Sequence, residues 1–142
     1  MSQTNDWQEL RKEECAKSIL LFAKTYFPKY MPVKSCAFHK EICDCLIEIS
    51  ETRGKRFACA APRGHAKSTI VTLFYVIWSM CYGKEKFIVI FSETSTQAEK
   101  LLSDIKYAME STDQLREDFP ELFVEKETPC VSRWTQSEII TA

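Results

Sequence analysis

Glycine is scarce in this chain: Gly54, Gly64 and Gly83 are the three among 142 residues. Few positions can therefore supply left-handed backbone without strain. Long hydrophobic runs are lacking, and none approaches the roughly 20 residues of a membrane-spanning helix. The opening Met1-Ser-Gln-Thr-Asn-Asp has no basic stretch and no apolar stretch, so no secretory leader is expected. An excess of one charge is missing too. Lys and Arg number 19 against 20 Asp and Glu, a net charge of −1, which removes the global basic footprint of a nucleic-acid binder. Histidine is limited to His39 and His65. None of the seven cysteines forms a Cys-x2-Cys pair, and Cys43 and Cys45 on a helix point to different sides, so a zinc site is not expected. The odd number of cysteines and the missing leader read as reduced cytosolic thiols that mostly fill small core positions.

What remains is an ordinary soluble composition, 45% hydrophobic and 27% charged, long enough for one modest domain with a real core. The first ~25 residues read as one helix, with Ala16, Ile19, Leu20 and Ala23 at helical spacing. Tyr26-Phe-Pro-Lys-Tyr-Met-Pro32 breaks it. Ser35 is a candidate cap for a second helix whose face is Phe38, Ile42, Cys45, Leu46 and Ile49. The apolar runs 57–61 and 87–91 read as buried parallel strands. Between them a helix runs to about Tyr82 with the stripe Ile70, Leu73, Phe74, Ile77, Trp78 and Cys81, and Gly83 closes it. Thr94 or Thr96 caps a further helix with Ala98, Leu101, Leu102, Ile105, Ala108 and Met109 on its buried face. Asp118 to Phe123 reads as a turn with anchoring aromatics, and Trp134 to Ile140 as extended. This strand, loop, helix, strand, helix order implies an α/β protein with a parallel sheet.

The chemistry concentrates in Ala61-Pro-Arg-Gly-His-Ala-Lys-Ser-Thr69. A loop between a strand and a helix N-terminus opens backbone N–H groups toward an anion, and a lysine there reaches the outer phosphates of a nucleotide. With Lys67 and Ser68 as the Lys-Ser/Thr pair, the two glycines of the phosphate-loop pattern fall on Ala61 and Ala66. Ala61 is tolerable at negative φ and Ala66 at helical φ, with Gly64 supplying the remaining freedom. Lys67 would neutralise the β and γ phosphates of ATP, and an uninvolved lysine at a helix start is disfavoured by the dipole. Ser68 would offer its hydroxyl to Mg²⁺, the alternative being a helix cap, and Thr69 takes its place if the register slips by one. Arg63 is either a cis cation for transition-state charge or a surface arginine. Pro62 and His65 complete the loop, His65 as an exposed side chain. Phe38 and His39 either contact an adenine or pack at a helix start. Glu93 follows an apolar run but has Ser92 where a metal-holding Asp would stand, and reads as a strand-end residue. No apolar run ends in Asp-Glu, so the carboxylates that hold Mg²⁺ and orient water are missing.

The loop 61–69 resembles the variant Walker A motif of tailed-phage terminase large subunits, in which an arginine lies four residues before the lysine. Phe38-His-Lys-Glu-Ile42 resembles the segment upstream of that motif, near the adenine site, and 87–98 the strand and helix that follow it. Leu115 to Leu122 and Trp134 to Ile140 resemble later segments. The resemblance implies the N-terminal part of a terminase ATPase domain. Its fold would be an incomplete ASCE-type P-loop NTPase sheet with N-terminal helices, divided into a helical adenine-side segment 1–56 and a P-loop core fragment 57–142. It implies ATP and Mg²⁺ as cofactors. The implied partners are double-stranded phage DNA, a portal protein, a terminase small subunit and the rest of the large subunit, in the bacterial cytoplasm and away from membranes. The family's Walker B segment and nuclease domain have no counterpart here, so the chain is expected to be a fragment without turnover of its own. Two rival readings stay open: a fragment of another P-loop DNA translocase or helicase, and a non-catalytic prophage remnant acting as an interaction module.

Overall fold

The computed structural model describes residues 3–31, 34–123 and 139. In chain order it contains α1 (Gln3–Ala16), α2 (Ile19–Tyr26), a 3₁₀ turn (Pro28–Tyr30), α3 (Ala37–Glu51), and a π-helical stretch (Thr69–Phe74) that continues as α4 (Tyr75–Cys81). Then follow α5 (Ser95–Glu110), α6 (Asp113–Asp118) and a second 3₁₀ turn (Pro120–Leu122). The chain forms two compact units, Met1–Trp78 and Ser79–Ala142, with the boundary inside α4. The expected extended segment 134–140 lies outside the described residues except for Ile139.

In the first unit the expected N-terminal helix is two helices. Ser18 stands in extended conformation and its side chain accepts the Leu21 N–H, so it caps α2 and ends the continuity with α1. α2 carries the densest core face: Ile19, Phe22, Ala23 and Tyr26 are buried, and Phe27 follows them inside. Phe27 stacks on Phe74 at 6.0 Å between ring centroids and meets Phe22 edge-on at 5.9 Å. Fully burying side chains of this size contributes about 1.5–3 kcal/mol each. α3 turns Ile42, Cys43 and Leu46 inward. Its cap is Cys36 rather than Ser35, and His39 completes the box by accepting the Cys36 N–H through Nδ1 at 3.3 Å. Burial pushes the Cys43 thiol up to about 12, with the Asp44 charge adding to the effect, so it acts as a small apolar core group. Cys15 is also buried, whereas Cys36 is exposed. The Trp78 indole N–H donates to the Cys15 carbonyl at 3.1 Å, tying the middle of α4 to the end of α1.

In the second unit, Gly83 at φ +57 closes α4. The Gly83 N–H donates to the Met80 carbonyl and the Lys84 N–H to the Ser79 carbonyl. This is the paired pattern of a Schellman cap, and it accounts for the glycine. Thr94 caps α5 by accepting the Gln97 N–H at 3.3 Å. The Gln97 side chain does not reach back to the backbone; its Oε1 accepts from the Ser92 hydroxyl at 2.8 Å. Ile105, Ala108 and Met109 are the buried part of the α5 face. The short helix α6 was not legible as a helix. It delivers Leu115 and then Phe119 into the core, where Phe119 meets Tyr82 edge-on at 5.4 Å.

The α/β fold class expected above is overturned. Among the described residues there is no β-strand, and hence no parallel sheet of the ASCE-type P-loop kind. Neither 57–61 nor 87–91 is assigned to a strand. The reason is physical: a strand exists only where a neighbour completes its ladder. Ala58, Ala60 and Ala61 also give the first run weak strand propensity. Phe57, Phe87, Val89 and Phe91 are exposed, the reverse of the buried environment that their runs suggested.

Candidate functional site

The loop 62–68 lies in the first unit, between a segment without ladder partners and the helix that begins at Lys67. Its shape follows from two left-handed residues. Gly64 takes φ +84 and Ala66 takes φ +51. Ala66 therefore departs from the helical φ expected of it, and it is the one non-glycine with positive φ among the described residues. The phosphate-loop pattern calls for glycine at that position, and the backbone here adopts the conformation for which a glycine would be chosen. Ala61 does not have positive φ, as its place at the loop start requires.

Two left-handed residues close together turn the intervening N–H groups outward. Among the described residues, none of the backbone N–H groups of residues 63–68 finds an acceptor. The first regular bond of the following helix is Ile70 N–H to the Ala66 carbonyl at 2.9 Å. Successive unpaired amides at a helix start form a concave anion cradle. Residues 63–69 line a depression of about 430 Å³.

Lys67 bends back across this depression. Its Nζ donates to the Pro62 carbonyl at 3.3 Å, placing the ammonium at the loop mouth. Arg63 is exposed and its guanidinium has no partner among the described residues. Ser68 has helical backbone (φ −65, ψ −38), and its hydroxyl makes no capping hydrogen bond. The cap alternative for Ser68 is thereby removed, and the hydroxyl is exposed beside Lys67. Thr69 is half-buried and begins the π-helical stretch, in which the Tyr75 N–H bonds to the Ile70 carbonyl five residues back. Such an extra residue in a helix is frequent beside functional sites.

The structure brings Phe38 to the loop while keeping it beside His39, the two rings tilted at 6.0 Å between centroids. Phe38 meets His65 edge-on at 6.1 Å. His65 in turn donates from Nδ1 to the Arg63 carbonyl at 3.2 Å. His65 thus braces the loop and links it to α3, a role that its place in the sequence did not signal. His39 spends Nδ1 on the α3 cap, which leaves Nε2 as its free nitrogen. Glu93 lies in the second unit, exposed, on the approach to the α5 cap. Among the described residues, no three His, Cys, Asp or Glu side chains gather as a metal-ligand group. No described helix is long and apolar enough to cross a membrane. No protein-family model, curated protein or solved structure matches the chain.

Proposed function

We propose that residues 62–69 hold the triphosphate of ATP, and that the chain is the nucleotide-binding part of a DNA-packaging motor of the terminase large-subunit kind. The observation that carries this reading is the Lys67 ammonium held at the Pro62 carbonyl of a loop whose amides 63–68 find no acceptor among the described residues, with left-handed backbone at both Gly64 and Ala66. The amides would take the bridging and β-phosphate oxygens, and Lys67 the outer phosphate charge. The Ser68 hydroxyl, unused by the helix, fits a ligand for Mg²⁺, which when bound would neutralise phosphate charge. Arg63 supplies a second, exposed cation within the same loop. Phe38, already against His65, offers an aromatic surface on the α3 side for the base, with His39 Nε2 behind it.

The motor itself, its double-stranded DNA, portal and small-subunit partners, and its place in the host cytoplasm belong to the same proposal. They rest on the resemblance of the loop and its flanks, and not on the sheet that usually carries such a loop.

Calorimetric titration with Mg²⁺-ATP tests the cradle. Lys67→Ala is expected to weaken binding by about tenfold to a hundredfold, since a charge-assisted contact is lost. Equal affinities in the two proteins would remove the loop from consideration.

A further inference from the structure

His65 stands between the two left-handed residues of the loop, Gly64 at φ +84 and Ala66 at φ +51. Its Nδ1 donates to the Arg63 carbonyl at 3.2 Å, a bond that spans Gly64. Little else fixes the turn there. The space where a Gly64 side chain would stand is open, and no backbone N–H of residues 63–68 has an acceptor among the described residues. The other bond across the loop runs from the Lys67 ammonium to the Pro62 carbonyl, and a phosphate competes for that ammonium. The His65 ring is itself held from outside the loop, since Phe38 of α3 meets it edge-on at 6.1 Å.

We propose, resting on the nucleotide reading of residues 62–69, that His65 is a positioning residue of this loop: it holds the amides in place for a triphosphate, and it takes up a proton from solvent when the triphosphate binds. A carbonyl only accepts, so the neutral ring carries its hydrogen on Nδ1 and leaves its lone pair on Nε2. The added proton goes to Nε2, and the bond to Arg63 survives it. The charged neighbours on the loop are Arg63 and Lys67, both cations. Around Phe38 the chain offers Lys34, Cys36, His39, Lys40 and Glu41. Glu41 is the carboxylate of that group, and it makes no ion pair with His65 among the described residues. Residues 52–84 contain no Asp or Glu at all. A triphosphate reverses the sign of the charge around the ring and favours the imidazolium. Histidine is the side chain that ordinarily changes charge between about pH 5 and 8. Linkage fixes the direction: a ligand that prefers the protonated ring binds more tightly as pH falls through that range.

Calorimetric titration of the full chain with Mg²⁺ and inorganic triphosphate tests this, because that probe has no base for Phe38 to meet. His65→Ala and His65→Phe should each weaken binding by about fivefold to tenfold, since both lack the N–H. His65→Asn should restore most of that loss near pH 8, its side-chain amide offering an N–H at the same branch point. Phe38→Ala should weaken the wild type but add little to His65→Ala, because it acts through the same ring. Between about pH 8 and 6 the wild-type affinity should rise about threefold or more relative to His65→Asn. The ratio isolates His65, since protonation of the probe and of His39 is common to both proteins.

Wild-type binding that Lys67→Ala weakens and the His65 variants leave alone overturns this inference and spares the nucleotide reading. A ratio that stays flat with pH overturns the proton uptake. A wild type that binds neither triphosphate nor Mg²⁺-ATP overturns both readings. Were the variants to unfold, NMR of the wild-type histidine rings still decides. His65 should titrate at higher pH with triphosphate present, and an unmoved midpoint overturns the proposal.

Discussion

Ala66 sits at φ +51, where an L-residue with a Cβ is strained by about 1–2 kcal/mol. Evolution could place glycine there, and the phosphate-loop pattern does so. Ala66→Gly should therefore raise stability by up to about 1 kcal/mol, the released strain being partly offset by glycine's larger unfolded-state entropy. Gly64→Ala should have the opposite effect. The space around Gly64 is open, so the penalty comes from φ +84 alone, again about 1 kcal/mol. Urea unfolding followed by far-UV circular dichroism reads both, and a destabilised Ala66→Gly would mean that the left-handed turn is not populated in solution. The pair also separates stability from binding. Ala66→Gly keeps every amide of the cradle, whereas Lys67→Ala removes its charge.

At the level of elements, caps and periodicity were legible and pairings were not. The buried part of α5 follows its apolar spacing, because a helix satisfies its backbone within itself, whereas α3 buries Cys43 with Ile42 and Leu46 and leaves the expected Phe38, Cys45 and Ile49 half-buried. Thr94 and Gly83 stand where local chemistry wants a cap, and Ser18, unread as one, splits the N-terminal helix for the same reason. The link between α1 and α4 is tertiary: the Trp78 indole donates to the Cys15 carbonyl in a fully buried setting. Trp78→Phe keeps most of the ring but strands that contact and leaves a void. It should cost about 1–3 kcal/mol in a urea titration. A change near zero would show that the Ser18 N–H, which also donates to the Cys15 carbonyl at 3.4 Å, suffices for it. The runs 57–61 and 87–91 lacked any comparable local criterion. Their composition reads as strand, yet a strand needs a neighbour, and none is present among the described residues.

For the whole molecule, the units Met1–Trp78 and Ser79–Ala142 each carry their own core, and the candidate loop with Phe38 belongs entirely to the first. Binding thus has all its named groups in one unit. Hydrolysis asks for more: a carboxylate to orient water, which no apolar run of the sequence supplies at its end. The chain alone should turn over Mg²⁺-ATP negligibly in a coupled phosphate-release assay. Steady turnover that Lys67→Ala abolishes would overturn this and place a water-orienting group within these residues.

The sequence by itself determined the apolar face of α5, the cap at Gly83, a threonine cap for α5 at Thr94 or Thr96, and the loop whose lysine and hydroxyl stand side by side. These depend on residues within a turn or two of one another, so the local chain carries the information. Tertiary structure alone decided that Ala66 is left-handed, that His65 meets Phe38 across the loop, and that the two apolar runs form no sheet among the described residues. Ring contacts and ladder hydrogen bonds join residues far apart in the chain, and no spacing within one segment specifies what lies across from it.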